Sequence, residues 1–100
     1  MAPHEIVLYT LNTDARTPTC QECCRVREFL SAQDVDFEDR NIRASEQHRD
    51  ELLERTGALV VPRLVYGERV VVGFDPEALA EVVADYRAAR AAHADREAGR

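Results

Sequence analysis

The sequence contains no lysine: its 13 basic residues are all arginine, set against 19 acidic ones for a formal net charge of −6. That deficit of positive charge argues against a nucleic-acid binder, whose affinity depends on Lys and Arg meeting phosphates. The arginine bias is what a high-GC genome produces, and no function is assigned to it. No apolar run approaches the roughly 20 residues needed to cross a bilayer, so no membrane partner is expected. Met1 to Ile6 lacks the basic-then-apolar layout of a signal peptide, which points to the cytoplasm, where thiols are kept mainly reduced. Phosphate cradles, Ser/His/Asp constellations and paired catalytic carboxylates are also missing, and His4 and His48 read as surface residues. Cysteine is scarce: the 3 residues, an odd number, all fall at Cys20, Cys23 and Cys24. Secreted scaffolds distribute even sets along the chain, so this clustering favours local chemistry over long-range stapling.

What remains is an ordinary soluble composition, 45% apolar and 32% charged over 100 residues. It fits one domain with a core of its own. Glu5–Thr10 is a β-rich apolar run and reads as a buried strand. Leu11–Thr19 carries the turn residues Asn12, Asp14 and Pro18 and reads as a loop. A first helix is expected from about Cys20 to about Gln33, with Val26, Phe29 and Leu30 forming its apolar face. Val35–Ile42 partly alternates and reads as a second strand.

Ser45 is a fitting N-cap for a second helix carrying Leu52 and Leu53, and Gly57 suits its end. Arg63–Tyr66 and Arg69–Val72 read as two strands joined by Gly67-Glu68, a type II′ turn too short for anything but antiparallel pairing. Asp75-Pro76 opens a third helix as N-cap and first helical residue, with Leu79, Val82, Val83 and Tyr86 as its stripe. Residues 87–100, rich in Ala and Arg, read as a helical extension or frayed tail beyond a core of about residues 5–86. The order β-α-β-α-β-β-α predicts an α/β fold: a mixed four-stranded sheet flanked by three helices, its first βαβ unit parallel.

The three thiols occupy different environments. On a wheel of about 100° per residue, Cys23 lies within about 70° of the apolar face and Cys24 almost opposite it. Cys20 sits at the helix start, where free N–H groups and partial positive charge favour a thiolate, the nucleophile of disulfide exchange. Cys23, one turn on and half-buried, is placed to resolve a mixed disulfide formed at Cys20. Cys24 is an exposed spectator or an auxiliary thiol. Cysteines four apart on a helix are near the outer limit for bridging, so Cys20 and Cys23 make the better pair. Glu22, between them, opposes thiolate formation by like charge.

Cys-x-x-Cys after the first strand, Val60-Val61-Pro62 before the hairpin and Gly73-Phe74-Asp75-Pro76 opening the last helix resemble, in that order, a glutaredoxin-like member of the thioredoxin fold. The likeness covers Glu5 to about Val83. It implies a small thiol–disulfide oxidoreductase with Cys20 as nucleophile and Cys23 as resolving thiol. It also implies a cis Val61–Pro62 peptide facing the dithiol, Val61 pairing its backbone with a bound peptide or glutathione, and Gly73, Phe74 and Asp75 at the glutathione end of the site. The stretch Val72–Leu79 is similar to NrdH-type redoxins, which draw electrons from thioredoxin reductase. Gln21-Glu22 departs from the Pro-Tyr of ordinary glutaredoxins. The family's glutathione-pairing lysine is missing, with Arg16 and Arg63 as the available cations, and the Leu11–Thr19 loop is longer than usual. No tightly bound cofactor or metal is expected. Glutathione is a candidate co-substrate, and disulfide-bearing proteins are the partners of a monomer.

Two other functions stay open at this level. Cys20, Cys23 and Cys24 offer soft ligands for Zn²⁺, Cu(I) or an iron–sulfur cluster, although a closed zinc site wants four. A redox-sensing regulator or arsenate-reductase-like protein shares the second-strand pattern, but usually carries a helical insertion for which there is no room here.

Overall fold

The computed structural model describes residues 4–11 and 21–98, with side chains as far as residue 92. The elements run β1 (Ile6–Thr10), α1 (Gln21–Ala32), β2 (Phe37–Asn41), α2 (Glu46–Thr56), β3 (Arg63–Tyr66), β4 (Arg69–Val72) and α3 (Pro76–Ala98). The expected order holds, and β3 and β4 match their expected bounds to the residue. Gly67 has φ +59° while Glu68 keeps a negative φ, as the first-position glycine of a type II′ turn requires. Most of the loop Leu11–Thr19, and Cys20 after it, lie outside the described residues.

The helix ends follow from their capping residues. Ser45 accepts a hydrogen bond from the His48 N–H, and Gly57, left-handed, donates to the Leu53 carbonyl at 2.8 Å. Asp75 Oδ1 accepts from the Ala78 N–H at 3.2 Å. α1 ends within one residue of the expected Gln33, and the way it stops displaces the start of β2. Asp34 adopts φ +55°; its N–H donates to Ser31 O at 3.1 Å, and the Val35 N–H donates to Leu30 O at 3.4 Å. These paired bonds make a Schellman motif, with Val35 packed in the same core as Leu30. Val35 therefore belongs to the helix stop, which is why β2 begins only at Phe37. At its other end, Asn41 Oδ1 accepts from the Arg43 N–H at 3.0 Å and turns the chain.

The sheet order is β2-β1-β3-β4. β1 pairs with β2 in parallel, Ile6 opposite Phe37, and antiparallel with β3, Tyr9 opposite Arg63. β3 and β4 are antiparallel, with Arg63 opposite Val72. Alternate residues supply two cores. Ile6, Leu8, Leu64, Tyr66 and Val71 meet α1 and α3 on one face. Val7, Tyr9 and Val65 meet Leu52 of α2 on the other. Each such aliphatic side chain stabilises the fold by about 1.5–3 kcal/mol on burial. Leu53, next to the fully buried Leu52, is 48% exposed, because one turn of α2 presents a single residue to the sheet. His48 is half-buried rather than on the surface; its Nδ1 is enclosed without a hydrogen-bond partner. His4 is exposed and sets its ring edge-on to Tyr66 at 5.8 Å.

Polar ties fasten the layers. Arg40 bridges Glu51 of α2 at 2.6 Å and Glu38 at 2.9 Å, and the hydrogen bond from Arg40 holds the Glu38 carboxyl below its usual range. Thr10, fully buried, donates to Asp39 Oδ1 at 2.6 Å, and Asp39 also pairs with Arg27 of α1. Far along α3, Arg87 donates to Gln33 O at 2.6 Å. Arg90 reaches Glu5 at 3.0 Å with its guanidinium 4.5 Å above the Tyr86 ring.

Candidate active site

A helix that connects two parallel strands returns antiparallel to them, so α1 begins at the end of the sheet where β1 finishes. The antiparallel register places the start of β3 and the end of β4 at that same end. Pro62, fully buried, stands just before β3. Its peptide bond with Val61 is cis, the form the family resemblance implied and one essentially confined to X–Pro bonds. Gly73, just after β4, donates its N–H to Pro62 O at 2.9 Å. This hydrogen bond extends the β3–β4 ladder by one step and joins two of the sequence-derived site residues.

Gly73 has φ +72°, and a Cβ built on it would lie 3.2 Å from Glu22 Oε2. The first turn of α1 thus reaches over Gly73, and α1, Gly73 and Pro62 form a continuous set of contacts. Phe74 is half-buried and meets Phe29 edge-on, ring centres 6.4 Å apart, which ties the start of α3 to α1. Asp75 is exposed and caps α3 with both its side chain and its carbonyl, the latter accepting from the Leu79 N–H at 2.9 Å. Val61 is half-buried and packs against the core on the α2 side.

Cys23 is 0% exposed and is held in a disulfide. Cys24 takes no part in it: it is free and exposed. The expectation that Cys23 is half-buried is therefore corrected. The residues of α1 that bury are Cys23, Val26 and Leu30, at i, i+3 and i+7, whereas Phe29 turns partly aside to meet Phe74. The inward face of α1 is rotated toward Cys23 relative to the stripe inferred from Val26, Phe29 and Leu30. Cys20 and Arg16 lie outside the described residues.

Arg63, the other cation considered for glutathione, is 9% exposed. It shares the α2 face of the sheet with Tyr9 and Val65, and its Nε is enclosed without a partner. Among the described residues no group of three or more His, Cys, Asp or Glu side chains could hold a metal ion. Also among them, no helix is long and apolar enough to cross a membrane. Sequence reasoning missed two features of the site. One is the approach of Glu22 to Gly73, and the other is the exposure of Leu59 and Val60, at 46% and 44%, just ahead of the cis peptide. An apolar pair immediately before a Val-Pro is a visible signal for the second; the first needs the tertiary fold.

Known proteins agree with this geometry. The glutaredoxin-like 8.6 kDa protein of the rubredoxin operon of Clostridium pasteurianum is 30% identical over 59 residues, covering 59% of this chain and 79% of that protein. The crystal structure of a glutaredoxin from Archaeoglobus fulgidus superposes with a TM-score of 0.66 at 30% identity, covering 80% of this chain and 86% of that one. The NrdH-redoxin of Escherichia coli shares the fold, with a TM-score of 0.62 at 23% identity over 77% of this chain and 92% of that one. These are thioredoxin-fold proteins, and the mixed sheet with three helices is that fold. The glutaredoxin family model matches residues 6–71, from the first residue of β1 into β4 and across both α1 and the cis-proline turn, and the chain belongs to the glutaredoxin family.

Proposed function

We propose that the protein is a thiol–disulfide oxidoreductase that reduces protein disulfides or glutathione mixed disulfides through Cys20 and Cys23. The Cys20 thiolate attacks one sulfur of the substrate disulfide. That S–S bond breaks, a mixed disulfide forms at Cys20, and the first substrate thiolate leaves and takes up a proton. Cys23, deprotonated, then attacks the Cys20 sulfur, forming the Cys20–Cys23 disulfide and releasing the second substrate thiol. The substrate gains two electrons and two protons, and an external dithiol or two glutathione molecules return the pair to its reduced state.

The observation that carries this proposal is the burial of Cys23 in the first turn of α1, at the end of the sheet that also bears the cis Val61–Pro62 peptide. Membership of a family of thiol oxidoreductases supports it, as does the cis peptide at Val61–Pro62. Pro62, Val61, Gly73, Phe74 and Asp75 are the residues we assign to holding the substrate backbone beside the dithiol. Cys24 has no part in the cycle, and the cytoplasm is the compartment that would keep the pair reduced.

The test is reduction of insulin and of a glutathionylated peptide by wild type, Cys20→Ser and Cys24→Ser. Activity is expected to vanish in Cys20→Ser and to persist in Cys24→Ser; equal turnover by wild type and Cys20→Ser would refute the assignment. Supplying glutathione with glutathione reductase, and separately thioredoxin reductase, identifies the electron donor by which one sustains turnover.

A further inference from the structure

The dithiol cycle does not need Glu22, yet its carboxylate stands at the mouth of the site. It is exposed, directly precedes Cys23, and brings Oε2 within 3.2 Å of the point a Gly73 Cβ would occupy. The Gly73 N–H cannot offset that charge, because it already donates to Pro62 O. Two residues after Gly73 comes a second carboxylate, Asp75, whose Oδ1 caps α3. Neither Glu22 nor Asp75 enters an ion pair among the described residues: arginines 27, 40, 69 and 90 are engaged elsewhere, and Arg25, exposed one turn along α1, makes no ion pair with Glu22. The buried cation Arg63 lies on the α2 face, across the sheet from α1 and α3.

We infer that Glu22 is a specificity-determining residue: its carboxylate over Gly73 selects disulfides on protein segments that present Arg or Lys beside the cysteine, over anionic small disulfides of the glutathione type. This presupposes the dithiol chemistry proposed above. A charge held about 6 Å from the Glu22 carboxylate, in a surface medium of effective dielectric about 40–80, changes binding by about 3- to 10-fold. Raising ionic strength from about 0.01 M to about 1 M shortens the screening length from about 30 Å to about 3 Å and should erase the preference.

The experiment compares kcat/KM for two fluorogenic peptide disulfides, identical except that Arg flanks the cysteine in one and Glu in the other. Oxidised glutathione is a third substrate, and dithiothreitol is the common reductant. The Arg-to-Glu ratio is the readout, because any change in Cys20 nucleophilicity acts on both peptides and cancels. Wild type is expected to favour the Arg peptide by about 10- to 100-fold at low salt, since attraction of one charge and repulsion of the other each contribute about 3- to 10-fold, Glu22→Gln to remove most of that ratio, and Glu22→Asp to keep most of it. Glu22→Gln should also raise turnover of oxidised glutathione relative to the Arg peptide. A wild-type ratio near one, or a ratio unchanged in Glu22→Gln or by salt, overturns the role of Glu22 while leaving the thiol chemistry standing. Reduction of no substrate by wild type overturns the chemistry itself, and the role of Glu22 with it.

Discussion

Replacing Gly73 by Ala separates two costs that the structure places at one residue. The backbone cost comes from φ +72°: an L-residue held in the left-handed region is strained by about 1–2 kcal/mol. Part of this is offset in the unfolded chain, where Ala has less freedom to lose than Gly, by about 0.4–1 kcal/mol. The contact cost comes from the new Cβ, 3.2 Å from Glu22 Oε2. That oxygen ends a flexible, exposed side chain, so it can swing away for little. The net expectation is a loss of about 1 kcal/mol, or a fall in Tm of about 4–8 °C for a domain of this size. Gly57 is the built-in control. It has φ +77° with nothing within 4 Å of its would-be Cβ, so Gly57→Ala carries the backbone cost alone.

Urea titrations of both variants, with the cysteines in one oxidation state throughout, should give losses equal within a few tenths of a kcal/mol. In a double-mutant cycle, Glu22→Ala should recover only that small remainder in the Gly73→Ala background. A Gly73→Ala loss of about 3 kcal/mol or more beside about 1 kcal/mol for Gly57→Ala would show that Glu22 is held rigidly against Gly73, contrary to the reasoning. Full recovery by Glu22→Ala would show that the left-handed backbone contributes nothing.

Two further outcomes test the packing and the electrostatics. Leu52→Ala should cost about 2–5 kcal/mol because Leu52 is 0% exposed against Tyr9, Val7 and Val65. The adjacent Leu53→Ala, at 48% exposure, should stay within about 0.5 kcal/mol; both are measured as shifts in the urea midpoint. Burial first, then the charge of Asp85, pushes the Tyr66 hydroxyl above its ordinary 10.0. The folded state then holds this proton where the unfolded state has released it, so stability present below about pH 10 is lost as pH rises through the folded value. Alkaline unfolding followed at several pH values should lose that part of its slope in Tyr66→Phe.

The parts of the fold that were legible in the sequence are those with local causes. Gly67-Glu68 between two β-rich runs determines β3 and β4, and Ser45, Gly57, Asp75 and Pro76 mark helix ends by capping chemistry. The start of β2 was not legible because Asp34 takes the left-handed position usually given to glycine, which draws Val35 into the helix stop, and Asp at a helix end carries no such signal. The depth of Cys23 was misjudged because the wheel was centred on the largest apolar residues, and one of these, Phe29, is shared with α3 through Phe74. Leu52 and Leu53 are chemically identical neighbours, so only the angle of α2 on the sheet distinguishes them. The cis bond at Val61–Pro62 came from the family resemblance. Local physics leaves cis at about 5–6% of X–Pro bonds in folded proteins and would have chosen trans.

The same contacts suggest how a small domain can hold its reactive helix still while leaving its selectivity adjustable. On one flank, α1 is tied to the edge of the sheet through Arg27, Asp39 and the buried Thr10 hydroxyl. On the other, Phe29 locks it to Phe74 at the start of α3. From beneath, Cys23, Val26 and Leu30 bury against the sheet. Moving α1 means breaking contacts on three sides, which is the rigidity a site needs if its geometry is to be set by the scaffold. Glu22 alone on that turn combines an exposed side chain with an approach to Gly73. A substitution there can change the charge that a substrate meets without disturbing what positions Cys23. With the specificity role proposed for Glu22, recognition has a route to vary that the buried half of α1 does not share.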